Sequence, residues 1–323
     1  MKSLDVKVLG QYGSLNFNFN HMFSNQGITA LFGPIGSGKS TIVNVIAGFN
    51  LTLNSKIKLN QKEIQGEFFL EPRLRPISIM FQEGRLIENL NVIENLNFAV
   101  KKSKIKNTNS KSVDINYIIK NLSLKDKLLK HPKNLSVGEK QLVSLGRALL
   151  ISCEFLILDE PTSSLDLQNK TKVLSFLKKF NQTYKIPILL ISHSIEEISQ
   201  LSDEIVLINK GVSVTAGKLS EIMIKNAYKH FFGKFESGTI LHGRIISKDF
   251  IYKITSVNVE NTIITLPGIF KNVGEEIRLR VRARDVMISK KTFDFKTKEN
   301  NFTGVIIEII IEKETAFAEV LIK

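Results

Sequence analysis

Short apolar runs, each ending on a polar residue, recur through the first 230 positions with helix-period stretches between them. Ile28 to Phe32 (ITALF) reads as a strand, Phe155 to Leu158 (FLIL) and Ile188 to Ser192 (ILLIS) as strands buried on both faces, and Glu204 to Asn209 (EIVLIN) as a further strand candidate. A helix is predicted from about Lys39 to Ala47, and residues 84 to 150 are mostly helical in spacing, with no buried-strand signal. Strands alternating with helices predict an α/β domain on a mainly parallel sheet. After Phe232 the texture changes. GKFESG, Gly233 to Gly238, reads as a linker, and period-two alternation follows it. Ile277, Leu279, Val281 and Ala283 face one way and Arg278, Arg280, Arg282 and Arg284 the other; Phe317, Glu319 and Leu321 alternate with Ala318, Val320 and Ile322. The expected organisation is a domain over 1–232, a linker over 233–238 and a small β-rich domain over 239–323.

Composition narrows the class. A length of 323 residues suits two domains of roughly 150 each, and 43% hydrophobic content excludes disordered and fibrous chains. The lone Cys153 cannot form an internal disulfide, which fits a reducing cytosol. MKSLDVKVLG has no apolar run behind its lysines, so no cleaved signal peptide is expected. The most apolar stretch, Leu142 to Leu158, is interrupted by Arg147 and Glu154, so no membrane span is expected.

A net charge of +14 would by default suggest nucleic acid or an anionic surface. Its location argues otherwise. Residues 101 to 133 carry ten Lys and two Asp, a net of +8, whereas 237 to 323 carry only +3. Only nine basic residues are Arg, the better group for bidentate phosphate contacts. The aromatics are mostly Phe in apolar contexts, not interleaved with the basic run as in a stacking platform. A solvated lysine face is the plain reading, and no nucleic-acid partner is expected.

The strongest local chemistry lies at Gly33-Pro34-Ile35-Gly36-Ser37-Gly38-Lys39-Ser40, which fits G-x-x-x-x-G-K-[ST] between a predicted strand and a predicted helix. Its glycines let backbone N–H groups curl round a phosphate, and the helix points its positive end there. Lys39 would neutralise β- and γ-phosphates, and Ser40 would coordinate Mg2+. Kinases, GTPases and many ATPases share this loop. Phe155 to Glu160 narrows the choice, being a buried strand that ends in two adjacent carboxylates. Hydrolysis of a γ-phosphate needs one acid to hold the metal through water, the role expected of Asp159, and one to polarise the attacking water, the role expected of Glu160. Asn134 to Gln141 opens another helix. Ser136 and Glu139 have capping-box spacing, and Ser136 with Gly138 would form an anion site for a second ATP.

With these residues in order, the chain resembles the ATPase subunits of ABC transporters over most of 1–230. The P-loop spans 33–41, including Thr41; Gln82 stands in the position of the glutamine loop and Leu135 to Glu139 in that of the signature. Ser163-Ser164-Leu165-Asp166 resembles the D-loop, and His193 the switch histidine. The resemblance implies a P-loop NTPase fold with a helical subdomain, Tyr12 stacking on adenine, and Gln82 sensing both metal and membrane partner. It also implies a head-to-tail homodimer, with each ATP held between one P-loop and the other signature, and hydrolysis through Glu160 and His193. Val137 departs from the family's usual glycine; its β-branch is expected to disfavour positive φ and to crowd an approaching phosphate. Leu142 stands where the family often has Arg.

A single nucleotide-binding domain with a β-rich tail resembles bacterial importers, and within them the molybdate-importer ATPases. Gly27 to Gly33, the Gly138-Glu139-Lys140-Gln141 form of the signature, Arg280 to Ile288 and Asn301 to Val305 carry that likeness. The tail resembles a TOBE/MOP-like regulatory domain whose MOP-like segment begins at about 300 and is cut short. Its alternate arginines read as the exposed face of an edge strand rather than as an oxyanion site. The resemblance implies ATP and Mg2+ as cofactors, and integral-membrane permease subunits as partners, with a periplasmic binding protein indirectly. It implies a peripheral position on the cytoplasmic face of the cell membrane. Sulfate, polyamine, sugar or ferric-ion import is the alternative within the class, and a soluble ATPase acting on nucleic acid the alternative outside it. On this reading the lysines of 101–133, among them Lys101, Lys102, Lys104 and Lys106, face lipid headgroups or acidic permease loops.

Overall fold

The computed structural model describes residues 4–103, 112–233, 238–289, 300, 302–311 and 318–322. Lys104, Lys106 and Phe317, the linker core 234–237, Asn301 and much of the segment after 300 lie outside the described residues. The chain divides into two compact units, 1–239 and 240–323.

The first unit runs β1 (Leu4–Tyr12), β2 (Leu15–Phe23), β3 (Ile28–Phe32), α1 (Lys39–Ala47), β4 (Asn54–Leu59), β5 (Lys62–Gln65) and β6 (Ile77–Met80). Then come α2 (Val92–Ser103), α3 (Ile115–Asn121), α4 (Val137–Leu150), β7 (Phe155–Asp159), α5 (Leu167–Tyr184), β8 (Ile188–Ile191) and α6 (Ile195–Leu201). It closes with β9 (Glu204–Asn209), β10 (Val212–Lys218), α7 (Leu219–Ile224) and α8 (Lys229–Phe232). Ten strands form one sheet in the order β5-β4-β1-β2-β10-β9-β3-β8-β7-β6.

The strands β9-β3-β8-β7-β6 are parallel, in line with their continuous apolar runs. Alternate residues feed two cores. Leu156, Leu158, Ile188 and Leu190 pack with α2 to α5, while Phe155, Ile157, Leu189 and Ile191 pack on the opposite face with Ile42 and Ile46 of α1. The pairs β9–β10, β2–β1, β1–β4 and β4–β5 are antiparallel and β10–β2 is parallel, so an antiparallel wing extends the expected parallel sheet. The reason is visible in β1 and β2. Leu4, Val6 and Val8, and then Phe17 and Phe19, are buried while the residues between them are not. A strand solvated on one face has no continuous apolar run to betray it.

Arg75 is fully buried at the C-terminal end of α1. Its guanidinium donates to Ile46 O at 2.6 Å, Gln65 Oε1 at 2.6 Å and Leu70 O at 2.9 Å. A cation here satisfies the last carbonyls of the helix and complements its dipole. Burial lowers the Arg75 pKa to about 10, so it stays charged.

In the second unit β11 (Gly238–Asp249), β12 (Ile254–Val259), β13 (Thr262–Pro267) and β14 (Glu276–Arg282) pair in the order β13-β12-β11-β14, and β15 (Ile306–Ile311) pairs with β16 (Ala318–Ile322). Ile245, Val257, Val259, Ile264 and Leu279 form its core. The arginine alternation is shorter than the sequence suggests. β14 stops at Arg282, whose Nε donates to Asp285 Oδ2 at 2.6 Å, and Ala283 and Arg284 lie in the following turn.

Candidate active site

The site gathers at the C-terminal ends of β3, β7 and β8, where the parallel strands stop and the backbone turns. Gly33 follows β3 and passes against β9 so closely that a Cβ there would lie 2.0 Å from Ile208 O. Gly38 has φ 100° and faces the Phe17 ring, which an added Cβ would meet at 2.7 Å. A side chain is excluded at both positions on steric grounds. Pro34, Ile35 and Gly36 form the exposed crest between them, and Ser37 is buried, its N–H donating to Pro34 O at 3.1 Å. Gly38 is the N-cap of α1 and offers no side-chain cap, so the first-turn N–H groups gain no partner from it.

Lys39 is 6% exposed, and its Nζ donates to Gly33 O at 2.8 Å, Pro34 O at 2.9 Å and Ser37 Oγ at 3.4 Å. Burial pushes its pKa down, against the charges of Glu160 and Asp159. The lysine thus sits folded into its own loop, close enough to two carboxylates to feel their charge.

Asp159 ends β7, paired in register with Ile191 of β8. Glu160 turns away at φ 50°, a left-handed conformation that a non-glycine residue keeps only when its surroundings hold it. Its N–H donates to Ile191 O at 2.9 Å, and its carbonyl accepts from Gln141 Nε2 at 2.7 Å. His193 Nε2 stands 3.3 Å from Glu160 Oε1. That is within ion-pair reach but off the hydrogen-bond direction, and Oε1 is a buried oxygen without a hydrogen-bond donor among the described residues. Burial, then the charges of Glu197 and Asp159, raise the Glu160 pKa to about 7; burial raises that of Asp159 to about 6. Burial and the Lys39 charge hold His193 below its ordinary value.

A cleft of about 440 Å³ brings Tyr12, Ser40, Thr41, Gln82 and Asp159 together, with Phe49 and Phe81 on its wall. Of the expected site residues, Gly33 to Lys39, Glu160, His193, Ser136, Gly138 and Asp166 do not line it. Ser136 caps α4 in a reciprocal capping box, Glu139 N–H to Ser136 Oγ at 3.2 Å and Ser136 N–H to Glu139 Oε2 at 2.8 Å. Gly138 abuts the segment after Glu160, where a Cβ would fall 2.9 Å from Ser164 O. Asp166 caps α5, accepting from the Asn169 N–H at 3.0 Å. Val137 occupies the first helical position of α4 and is absent from the positive-φ residues. The expected backbone strain therefore does not arise, and what remains is its side chain, 71% exposed at the helix start.

The spacing did not point to Gln141. Its buried amide also donates to Ser163 Oγ at 3.0 Å and accepts from the Ser164 N–H at 2.9 Å, tying α4 to the turn that carries Glu160. An amide in the second turn of an amphipathic helix offers only one weak signal, its position on the apolar face.

The oxygen donors at the cleft suit a hard divalent cation held mainly by substrate phosphates and water. Ser40, Gln82 and Asp159 are too few for a self-sufficient cage, and no group of three or more His, Cys, Asp or Glu among the described residues could hold a metal.

Residues 16–163 match the sequence family described as ABC transporter. The molybdenum import ATP-binding protein ModC of Saccharophagus degradans is 32% identical over 91% of this chain and 81% of its own length. The chain belongs to the ABC transporter ATP-binding family. The ModC of Haemophilus influenzae is 30% identical over 99% of this chain and 90% of that protein. Among solved structures, a dimeric ATP-binding cassette in a post-hydrolysis state with ADP and Pi aligns at a TM-score of 0.56. It is 22% identical and covers 68% of this chain and 99% of that one. The ATP-binding subunit of an ABC transporter aligns at 0.58, with 23% identity over 68% of this chain and 91% of that one. Both share the fold of the first unit.

Proposed function

We propose that this chain is the ATP-hydrolysing subunit of an ABC importer for molybdate or a closely related oxyanion. The pairing of Glu160 with His193 beside Asp159 and Lys39 carries the hydrolytic part of this reading. The names of the relatives, both molybdenum import ATP-binding proteins over most of their length, carry the cargo.

The P-loop of Gly33 to Thr41 holds the phosphates, with Lys39 releasing its loop carbonyls to neutralise the β- and γ-oxygens. Tyr12, 47% exposed at the end of β1, offers its face to the base. Mg2+, when bound, spreads the negative charge that develops on the phosphates, and Ser40, Gln82 and, through water, Asp159 are the residues that would hold it. Glu160 Oε1 accepts the proton of the attacking water, and its raised pKa makes it a better base than an ordinary carboxylate. His193 orients the same oxygen and the γ-phosphate. Ser136 and Gly138 stand at the start of α4 and, in this reading, complete the cleft of a second copy. Asp166 lies in the contact between copies. A neighbour solved as a dimer supports that assembly. No described helix is long and apolar enough to cross a membrane. In this reading, supported by the importer names of its relatives, the chain works on the cytoplasmic face of the membrane through permease subunits, with a periplasmic binding protein beyond them.

The test has two arms. The purified chain should hydrolyse ATP in the presence of Mg2+ and lose that activity in Glu160→Gln. Cells lacking the gene should lose high-affinity uptake of labelled molybdate and regain it on complementation; unchanged uptake would overturn the cargo assignment while leaving the ATPase intact.

A further inference from the structure

Behind His193 lies a buried polar chain that the hydrolytic roles do not use. Ser192, fully buried at the end of β8, donates its hydroxyl to Glu197 Oε2 at 2.7 Å and accepts the Ser194 N–H at 3.0 Å. The Ser194 hydroxyl caps α6 by accepting the Glu197 N–H at 3.3 Å. The other carboxylate oxygen of Glu197, a residue 2% exposed, pairs with Lys170 Nζ at 2.6 Å. Lys170 belongs to the first turn of α5, and its N–H donates to Asp166 O at 2.8 Å. Both sides of the His193 turn are thereby tied through one carboxylate to the helix that Asp166 caps. The charge of Glu197 is also felt at Glu160 and at His193.

A buried ion pair is weak evidence for stability, because desolvating two charges offsets their attraction. Fixing a geometry is the better-attested use, and two hydroxyls and one carboxylate fully engaged around a single turn suit it. From this arrangement we infer that Glu197 is a positioning residue for hydrolysis. Through Ser192 it holds His193 against Glu160, and through Lys170 it makes the His193 turn and the Asp166 segment move as one body. The inference rests on the hydrolytic role proposed above for Glu160 and His193.

Steady-state ATPase of the full chain with Mg2+ tests it, using Ser192→Ala, Glu197→Gln and Lys170→Arg, each checked for folding by thermal unfolding. Ser192→Ala and Glu197→Gln should lower kcat about tenfold with KM for ATP within about twofold, since the loss falls on the transition state and not on binding. Lys170→Arg, which keeps the ion pair, should retain most of the activity. In a His193→Ala background, followed by single-turnover assays, Ser192→Ala should produce no further loss, because its effect passes through the missing imidazole. Wild-type kcat in Ser192→Ala would overturn the inference, as would an undiminished tenfold loss in the His193→Ala background. Should Glu197→Gln fail to fold, Ser192→Ala and its double variant decide alone. A wild-type chain without ATPase activity would instead sink the hydrolytic reading; an active wild type with an unaffected Ser192→Ala removes only the positioning role.

Discussion

Two glycine-bearing helix starts in this molecule invite comparison. At α1 the N-cap is Gly38, which supplies no side chain, and the loop before it is shaped by close approaches to Ile208 and Phe17. At α4 the N-cap is Ser136, and a complete capping box already occupies the N–H groups of Ser136 and Glu139. The first start therefore leaves its donors to a ligand. The second satisfies part of its own need and keeps the Val137 and Gly138 N–H groups and the Ser136 O–H available. The capping box leaves room for the anion contact proposed at α4, but with fewer donors than the motif alone suggests. On the proposed reading, one chain builds most of a phosphate cradle at α1 and only a supplementary contact at α4.

The sharpest way to break this comparison is at the carboxylate beside α1. Glu160→Gln should lower ATP turnover by about 10²-fold or more, the ordinary worth of a positioned general base, while nucleotide still binds. Measured binding of a fluorescent ATP analogue alongside kcat separates the two effects. An equal loss in a variant of the α4 start would erase the distinction drawn here.

Gly138→Ala comes next. Its methyl would meet Ser164 O at 2.9 Å, a backbone atom that must shift. Overpacking of this kind costs roughly 1–3 kcal/mol of stability, and the backbone it displaces belongs to the turn that carries Glu160, so turnover of the assembled protein should fall about tenfold. ATP binding by the isolated chain should be unchanged, because in the proposed assembly Gly138 serves the cleft of the second copy. Weakened binding in the isolated chain would mean that α4 serves its own site.

The carboxylates also leave a mark on stability. Glu160 titrates at about 7 in the folded chain against an ordinary 4.5. A carboxyl raised in this way favours the native state below its unfolded pKa and loses that contribution as pH rises through about 7. Glu160→Gln should therefore stabilise the protein by about 1–3 kcal/mol more at pH 8.5 than at pH 5.5, read from urea unfolding at the two pH values. A constant difference would show that Glu160 is ionised throughout. The smallest effect is expected at Val137. With its backbone helical, Val137→Gly only clears an exposed side chain, and should raise turnover of the assembled complex about twofold while costing up to ~1 kcal/mol of helix propensity.

The α1 cradle could be read from the sequence because its requirements are local. Gly33, Gly36, Gly38, Lys39 and Ser40 fall within eight residues of one another, flanked by a strand and a helix whose periods are unmistakable. The same holds for Asp159 and Glu160 at the end of a fully apolar strand. Other features depend on residues far apart in the chain. β1 and β2 are half solvated and leave no apolar run. The glycine of the family pattern suggests positive φ at Val137, whereas Ser136 and Glu139 impose an ordinary helix start. Gln141 and Glu197 look like any polar residue of an amphipathic helix.

The glycine-rich loop between strand and helix, the paired-carboxylate strand end and the second β-rich unit are legible in the chain because each is encoded by spacing within a few residues. Tertiary structure decided what those pieces do to one another. It set Glu160 against His193 across two strands, fastened its carbonyl to Gln141 from α4, and left Ser136 and Gly138 outside the cleft. The physical reason is that burial and charge act through space. The pKa of Glu160 is raised by desolvation and by Glu197, a residue 37 positions away in sequence, and no local pattern carries that information.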